Sequence, residues 1–117
     1  MKPLTLFTKT GCSTCLKARQ LLNDWQVPYT ERDIFKHPLE PGELADLVKR
    51  VSLHELFSWR SPTARQQGFT PTTSSPETLV LKMLEEPRLI RRPLLLAGET
   101  LIVGCLPEQM REAIHAP

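Results

Sequence analysis

Two cysteines two residues apart, Cys12-Ser13-Thr14-Cys15, are the part of this chain best suited to chemistry. They follow an alternating apolar–polar segment, Leu4-Thr5-Leu6-Phe7-Thr8, and a short turn, Lys9-Thr10-Gly11. After them runs a helical apolar stripe of Ala18, Leu21, Leu22 and Trp25. Cys12 therefore falls at the exposed start of a helix. The first amides of a helix lack intrahelical partners and carry about half a unit of positive charge, so they favour a thiolate over a thiol. A free cysteine titrates near about 8.5, and such a setting lowers that value. Cys15 lies one turn further on, along the apolar stripe and more buried. The pair suits thiol–disulfide exchange, in which Cys12 attacks and Cys15 resolves the mixed disulfide. Half a zinc site and two inert buried cysteines are the other readings of the motif. Zinc needs two more ligands, and the chain offers Cys105 and three scattered histidines, His37, His54 and His115, each read as solvated. No metal is expected.

The pair needs elements to hold it. Leu4–Thr8 reads as a first strand, the helix runs from near Cys12 to Trp25, and Val27-Pro28 breaks it before a second strand over Tyr29–Ile34. A strand, a helix and a strand within about thirty residues form a βαβ unit with parallel strands. Leu44, Leu47, Val48 and Val51 predict a helix over 41–51, with a short continuation capped by Ser52. Ser61–Ser75 reads as an irregular polar connection with a single short turn. Ser75-Pro76 opens a helix that Pro87 ends. Leu89–Ala97 and Thr100–Gly104, on either side of Gly98-Glu99, read as an antiparallel hairpin. Pro107 opens a last helix carrying Met110, Ala113 and Ile114. The expectation is an α/β fold with a four-stranded mixed sheet, βαβ then ββα, and a helical segment between the halves.

Two residues in the second half bear on the cysteines. Pro93 interrupts a buried strand pattern, where a proline forfeits a ladder hydrogen bond. It is either a trans proline at an edge or the second residue of a cis Arg92–Pro93 bond, which would bring the preceding backbone beside the Cys12 helix. Cys105 follows the last strand, as a small buried hydrophobe or as a third redox thiol that passes a disulfide outward.

Composition narrows the classes. The 117 residues amount to one domain, and 40% apolar with 24% charged residues excludes wholesale disorder. Fifteen basic against thirteen acidic residues give a net charge of +2, without the basic stripe of a nucleic-acid binder. The longest apolar run, Leu94–Ala97, is far too short for a membrane span. An odd number of cysteines argues against a secreted disulfide framework. With no basic-then-apolar leader at Met1, the expected location is the cytoplasm.

Together the residues resemble the ArsC/Spx family of the thioredoxin superfamily over nearly the whole chain. The resemblance is carried by Cys12 through Arg19, Glu31-Arg32-Asp33-Ile34-Phe35, Trp59-Arg60-Ser61, Arg91-Arg92-Pro93 and Val103-Gly104. It implies one thioredoxin-like domain over 1–117, a helical insertion over about 38–87, and a cis Pro93. The two-cysteine motif is closer to the Spx branch, because the arsenate-reductase branch typically keeps only the first cysteine. The resemblance also implies that Arg60 and Arg92 bind the thiolate or an anionic substrate. The family's third arginine falls near Cys105 or Leu106, so its oxyanion cage is one arginine short. Arg92, beside Pro93, is expected at the face where Cys12 emerges, with Lys9 solvated.

The function implied is a cytosolic, glutaredoxin-like thiol–disulfide oxidoreductase with Cys12 as nucleophile and Cys15 as resolving thiol. The alternatives are an Spx-like redox-sensing transcriptional regulator that binds RNA polymerase, or a glutathione- or thioredoxin-dependent arsenate reductase. Regulators of that type continue beyond the last helix, whereas this sequence ends at Pro117, which favours the enzyme. No bound cofactor is expected, with glutathione as a co-substrate. The partner is a thiol reductant (glutathione, glutaredoxin or thioredoxin) or a disulfide substrate.

Overall fold

A computed structural model describes residues 3–70 and 74–116. The chain divides into two compact units, one of Met1–His37 with Arg92–Pro117 and one of Pro38–Arg91.

The first unit carries the sheet. Strand β1 (Leu4–Thr8) lies between β2 (Thr30–Asp33) and β3 (Leu94–Ala97), and β4 (Thr100–Val103) completes the order β2-β1-β3-β4. β1 and β2 run parallel, with Thr5 opposite Thr30 and Thr8 opposite Asp33. β1 and β3 run antiparallel, with Leu4 opposite Ala97 and Phe7 opposite Leu94. β3 and β4 form the expected hairpin around a two-residue turn that Gly98 opens at φ +59°. This is the mixed sheet of a thioredoxin-like fold, βαβ followed by ββα. Helices α1 (Ser13–Asp24) and α6 (Pro107–His115) pack on one side of it. Ala18 and Leu22 of α1 meet Met110, Ala113 and Ile114 of α6 over Leu4, Leu6, Leu95, Ala97 and Ile102. The alternation of the strands and the i, i+4 spacing of the helices place these residues in one core.

Pro93 does not interrupt the strand. β3 begins at Leu94, and the residues before it form a 3₁₀ turn (Pro87–Leu89) and an isolated bridge from Ile90 to Phe57. The apolar run from Leu89 is buried because it packs in the second unit, not because it extends the sheet.

That unit is built of short helices: α2 (Pro41–Leu47), α3 (Leu53–Leu56), α4 (Pro62–Gln66) and α5 (Pro76–Glu85). The helix expected to reach 51 stops at Leu47. Helix α4 stands where an irregular connection is expected, while residues 71–73 of that connection lie outside the described residues. Ser52, Ser61 and Ser75 each cap a helix by accepting the amide hydrogen bond three residues on. Five of the eleven prolines, Pro41, Pro62, Pro76, Pro87 and Pro107, sit in the first turn of a helix, where the missing N–H costs nothing. Leu44, Leu47, Leu56, Phe57, Ala64, Leu79, Met83, Leu89 and Ile90 are all buried in this unit.

Candidate redox site

The turn between β1 and α1 closes with the Cys12 amide donating to the Lys9 carbonyl at 3.2 Å. Its third residue, Gly11, has φ +82°, and a side chain there would meet no atom, so the backbone angle itself asks for glycine. This turn sets Cys12 as the N-cap of α1, at φ −87° and ψ 116°. Its sulfur takes the place of a serine oxygen and accepts the Cys15 amide at 3.3 Å. Thr14 Oγ1 lies 3.3 Å from the same sulfur. No acidic residue occupies the first turn of α1, so no carboxylate competes for its positive end.

These contacts separate two thiols three residues apart. Burial works against the Cys12 thiolate. Hydrogen bonds from the Cys15 thiol, the Thr14 hydroxyl and the Cys15 amide, together with the charge of Arg92, outweigh it and hold Cys12 below the ordinary thiol value. Cys15 is fully buried, and burial, the hydrogen bond it gives to Cys12 and the charge of that sulfur push it up to about 12. A backbone hydrogen bond from Lys9 and the charge of Arg92 oppose that rise. All three cysteines are free thiols.

The segment after β2 braces the turn. Asp33 accepts the Thr10 amide at 3.0 Å, the Thr10 hydroxyl at 2.5 Å, the Phe35 amide at 2.8 Å and the Lys36 amide at 3.2 Å. The Thr10 hydrogen bond, with the backbone amides behind it, prevails over desolvation and lowers the Asp33 carboxyl to about 2. A carboxylate with a depressed folded pKa contributes its full stabilisation above the ordinary carboxylate range, and that contribution fades as pH falls from there through about 2. Glu31 accepts from Arg19 Nε at 2.8 and 2.9 Å and from the buried Thr8 hydroxyl at 2.8 Å, tying α1 to the sheet.

Phe35 presents its ring to two cations. The Arg92 guanidinium carbon lies 5.4 Å and Lys9 Nζ 4.9 Å from the ring centroid. Lys9, expected to be solvated, instead packs on this ring. The Arg92–Pro93 peptide bond is cis, and Pro93 is buried. Cys12, Cys15, Arg92 and Pro93 thus all belong to the first unit, and the charge of Arg92 acts on both sulfurs. Arg60 belongs to the second unit. It is exposed and lines a cavity of about 300 Å³ with His54, Phe57, Ser58, Trp59 and Arg91. Within that unit Trp59 Nε1 donates to the His54 carbonyl at 2.8 Å, and its ring lies 4.4 Å from that of Phe57.

Cys105 is half-buried against the core of α1 and α6, one residue before the N-cap of α6, and burial raises its thiol while Lys17 opposes. His37, His54 and His115 are exposed. Among the described residues no three His, Cys, Asp or Glu side chains gather to hold a metal, and no helix is long and apolar enough to cross a membrane. Sequence reading missed Thr14 and Phe35 as parts of the site. A hydroxyl at the second helical position was a visible signal for the first; the second depends on a tertiary approach that no spacing shows.

Comparison with known proteins matches this architecture. The global transcriptional regulator Spx of Staphylococcus aureus is 32% identical over 110 residues, which cover 92% of this chain and 84% of the relative. An arsenate reductase from Vibrio cholerae superposes with a TM-score of 0.86 over 96% of this chain and 98% of its own, at 18% identity, a likeness of fold alone. An arsenate reductase (ArsC) related protein from Brucella melitensis is 27% identical, with a TM-score of 0.75 over 98% and 96% of the two chains. The ArsC family model matches residues 7–113, from the end of β1 into the last helix, and with it the chain belongs to the ArsC family.

Proposed function

We propose that the protein is a thiol–disulfide oxidoreductase of the cytoplasm, with Cys12 as nucleophile and Cys15 as resolving thiol. The observation that carries this reading is the Cys12 sulfur at the cap of α1, held as the more acidic thiol by its contacts with Cys15 and Thr14. The Cys12 thiolate attacks one sulfur of a substrate disulfide, forms a mixed disulfide and releases the other sulfur as a thiolate. Cys15 then gives up its proton and attacks the Cys12 sulfur, closing a Cys12–Cys15 disulfide and releasing the second substrate thiol. Two electrons pass to the substrate, and a thiol reductant such as glutathione or a dithiol protein returns them.

The hydrogen bond from Cys15 to Cys12 gives this sequence its order. While Cys12 is a thiolate, burial, the hydrogen bond to Cys12 and the charge of that sulfur together keep Cys15 protonated. Once Cys12 is in a mixed disulfide that charge is gone, and the Lys9 amide and Arg92 still favour the Cys15 thiolate. Deprotonation of the resolving thiol is thereby eased after the attack has occurred, although its burial remains. Arg60 is proposed as an anion-binding side chain of the cavity it lines.

A mixed-disulfide trap tests the assignment. Wild type exposed to a peptide disulfide should end as the intramolecular Cys12–Cys15 disulfide, while Cys15→Ser should stall with the peptide on Cys12, as read by mass spectrometry. A peptide held on Cys105 would overturn it.

The identity to Spx favours a second reading, in which the same disulfide switches binding to RNA polymerase. Equal binding of the polymerase by the reduced and oxidised protein would remove that reading.

A further inference from the structure

The thiolate reading leaves a geometric question, and the inference below rests on that reading. A guanidinium acts on a sulfur only if something fixes where it points, because arginine carries several rotatable bonds. Arg92 precedes β3 and lies over the ring of Phe35, which follows β2 at the far edge of the sheet. The face of an aromatic ring attracts cations through its quadrupole. Phe35 serves two cations at once, Arg92 at 5.4 Å and Lys9 at 4.9 Å, and like charges would otherwise drift apart.

The ring is itself fixed. Asp33 accepts the Phe35 amide, and the Ile34 amide donates to the Thr8 carbonyl at 3.0 Å with Ile34 fully buried. The same Asp33 carboxylate holds Thr10, two residues before Cys12. One aspartate thus sets both the aromatic platform and the turn that delivers the nucleophile.

We propose that Phe35 is a positioning residue of the redox site, its ring gathering Lys9 and Arg92 so that the Arg92 charge is directed at the Cys12–Cys15 pair. It acts through Arg92, which its ring faces. The charged and titratable groups that the described contacts bring to this assembly include Lys9 from the turn after β1, Cys12 and Cys15 from α1, Asp33 from β2, and Arg92 from the segment before β3.

The test is the pH dependence of Cys12 alkylation by iodoacetamide in the reduced protein. Phe35→Leu should move the midpoint up by about 0.3 unit, no more than Arg92→Ala does. Phe35→Trp, which keeps a cation-binding face, should leave it at the wild-type value. Combining Phe35→Leu with Arg92→Ala should give the shift of Arg92→Ala alone, an equality that a merely structural role for the ring would not produce. Pentafluorophenylalanine at position 35 keeps the shape and reverses the quadrupole, so it reads the same effect should Phe35→Leu fail to fold. An unchanged midpoint in the pentafluoro protein, or additive shifts in the double variant, would overturn the role of Phe35. A wild-type midpoint at or above that of a free thiol would instead overturn the thiolate reading itself.

Discussion

Two helices of the first unit have a cysteine at or just before their start, and it is placed differently in each. Helix α1 has Cys12 as its N-cap, with the sulfur accepting the amide at the third helical position. Helix α6 has Cys105 one residue before its N-cap, Leu106, whose side chain makes no capping bond. α1 has no acid in its first turn, whereas α6 has Glu108. Cys12 is held below the ordinary thiol value and Cys105 above it, although both are half-buried. Being near a helix start does not make a thiolate. What separates the two sulfurs is what reaches them: at Cys12 the Cys15 thiol, the Thr14 hydroxyl, the Cys15 amide and the charge of Arg92 outweigh burial, whereas at Cys105 burial prevails over the charge of Lys17.

Removing the nucleophile is the strongest way to break this comparison. Cys12→Ser should abolish disulfide exchange, with Cys15 and Cys105 giving less than about a thousandth of the wild-type rate at pH 7, because both thiols are held protonated there. A stopped-flow assay on a model disulfide measures it; a rate within tenfold of wild type would make Cys105 or Cys15 the attacking sulfur. Thr14→Val, which removes a hydroxyl 3.3 Å from the sulfur, should raise the Cys12 midpoint by about one unit. An unchanged midpoint would leave the backbone amide as the working donor.

Arg92→Ala should shift it by about half a unit, since the Arg92 charge favours the Cys12 thiolate. Arg91→Ala should leave it in place, because Arg91 reaches the Glu55 carbonyl at 3.4 Å within the helical unit. Equal shifts for the two arginines would mean that net charge, not position, is felt. The smallest effect sharpens the cap argument by moving a sulfur into it. In a Cys105→Ala background, Leu106→Cys should titrate a few tenths of a unit below native Cys105. A value at or above Cys105 would show that the cap position confers nothing at α6.

The two helix starts also show what a sequence exposes. Local rules carried the first unit: β1, α1, the hairpin and α6 follow from alternation, apolar stripes and proline at helix starts. They carried Cys12 as the more exposed cysteine of the pair and Cys15 as the buried one for the same reason. The helical unit was less legible, because a five-residue helix such as Pro62–Gln66 is too short for a periodicity, though Ser61-Pro62 did carry a cap and a first-turn proline. The strand boundary before Leu94 was missed because Ile90 is buried by pairing with Phe57, thirty-three positions away. Lys9 looked solvated for a similar reason: what fixes it is a ring on the segment after β2.

The central claim is that the contacts gathered at the cap position, from the Cys15 thiol, the Thr14 hydroxyl and the Cys15 amide, and not mere proximity to a helix start, set which cysteine reacts. Site-resolved alkylation tests it most directly, with iodoacetamide labelling of the reduced wild-type protein followed across pH by mass spectrometry at Cys12 and Cys105 together. Cys12 should reach half-maximal labelling rate below the ordinary thiol value of about 8.5, and Cys105 above it. Coincident midpoints, or Cys105 labelling at the lower pH, would contradict the account.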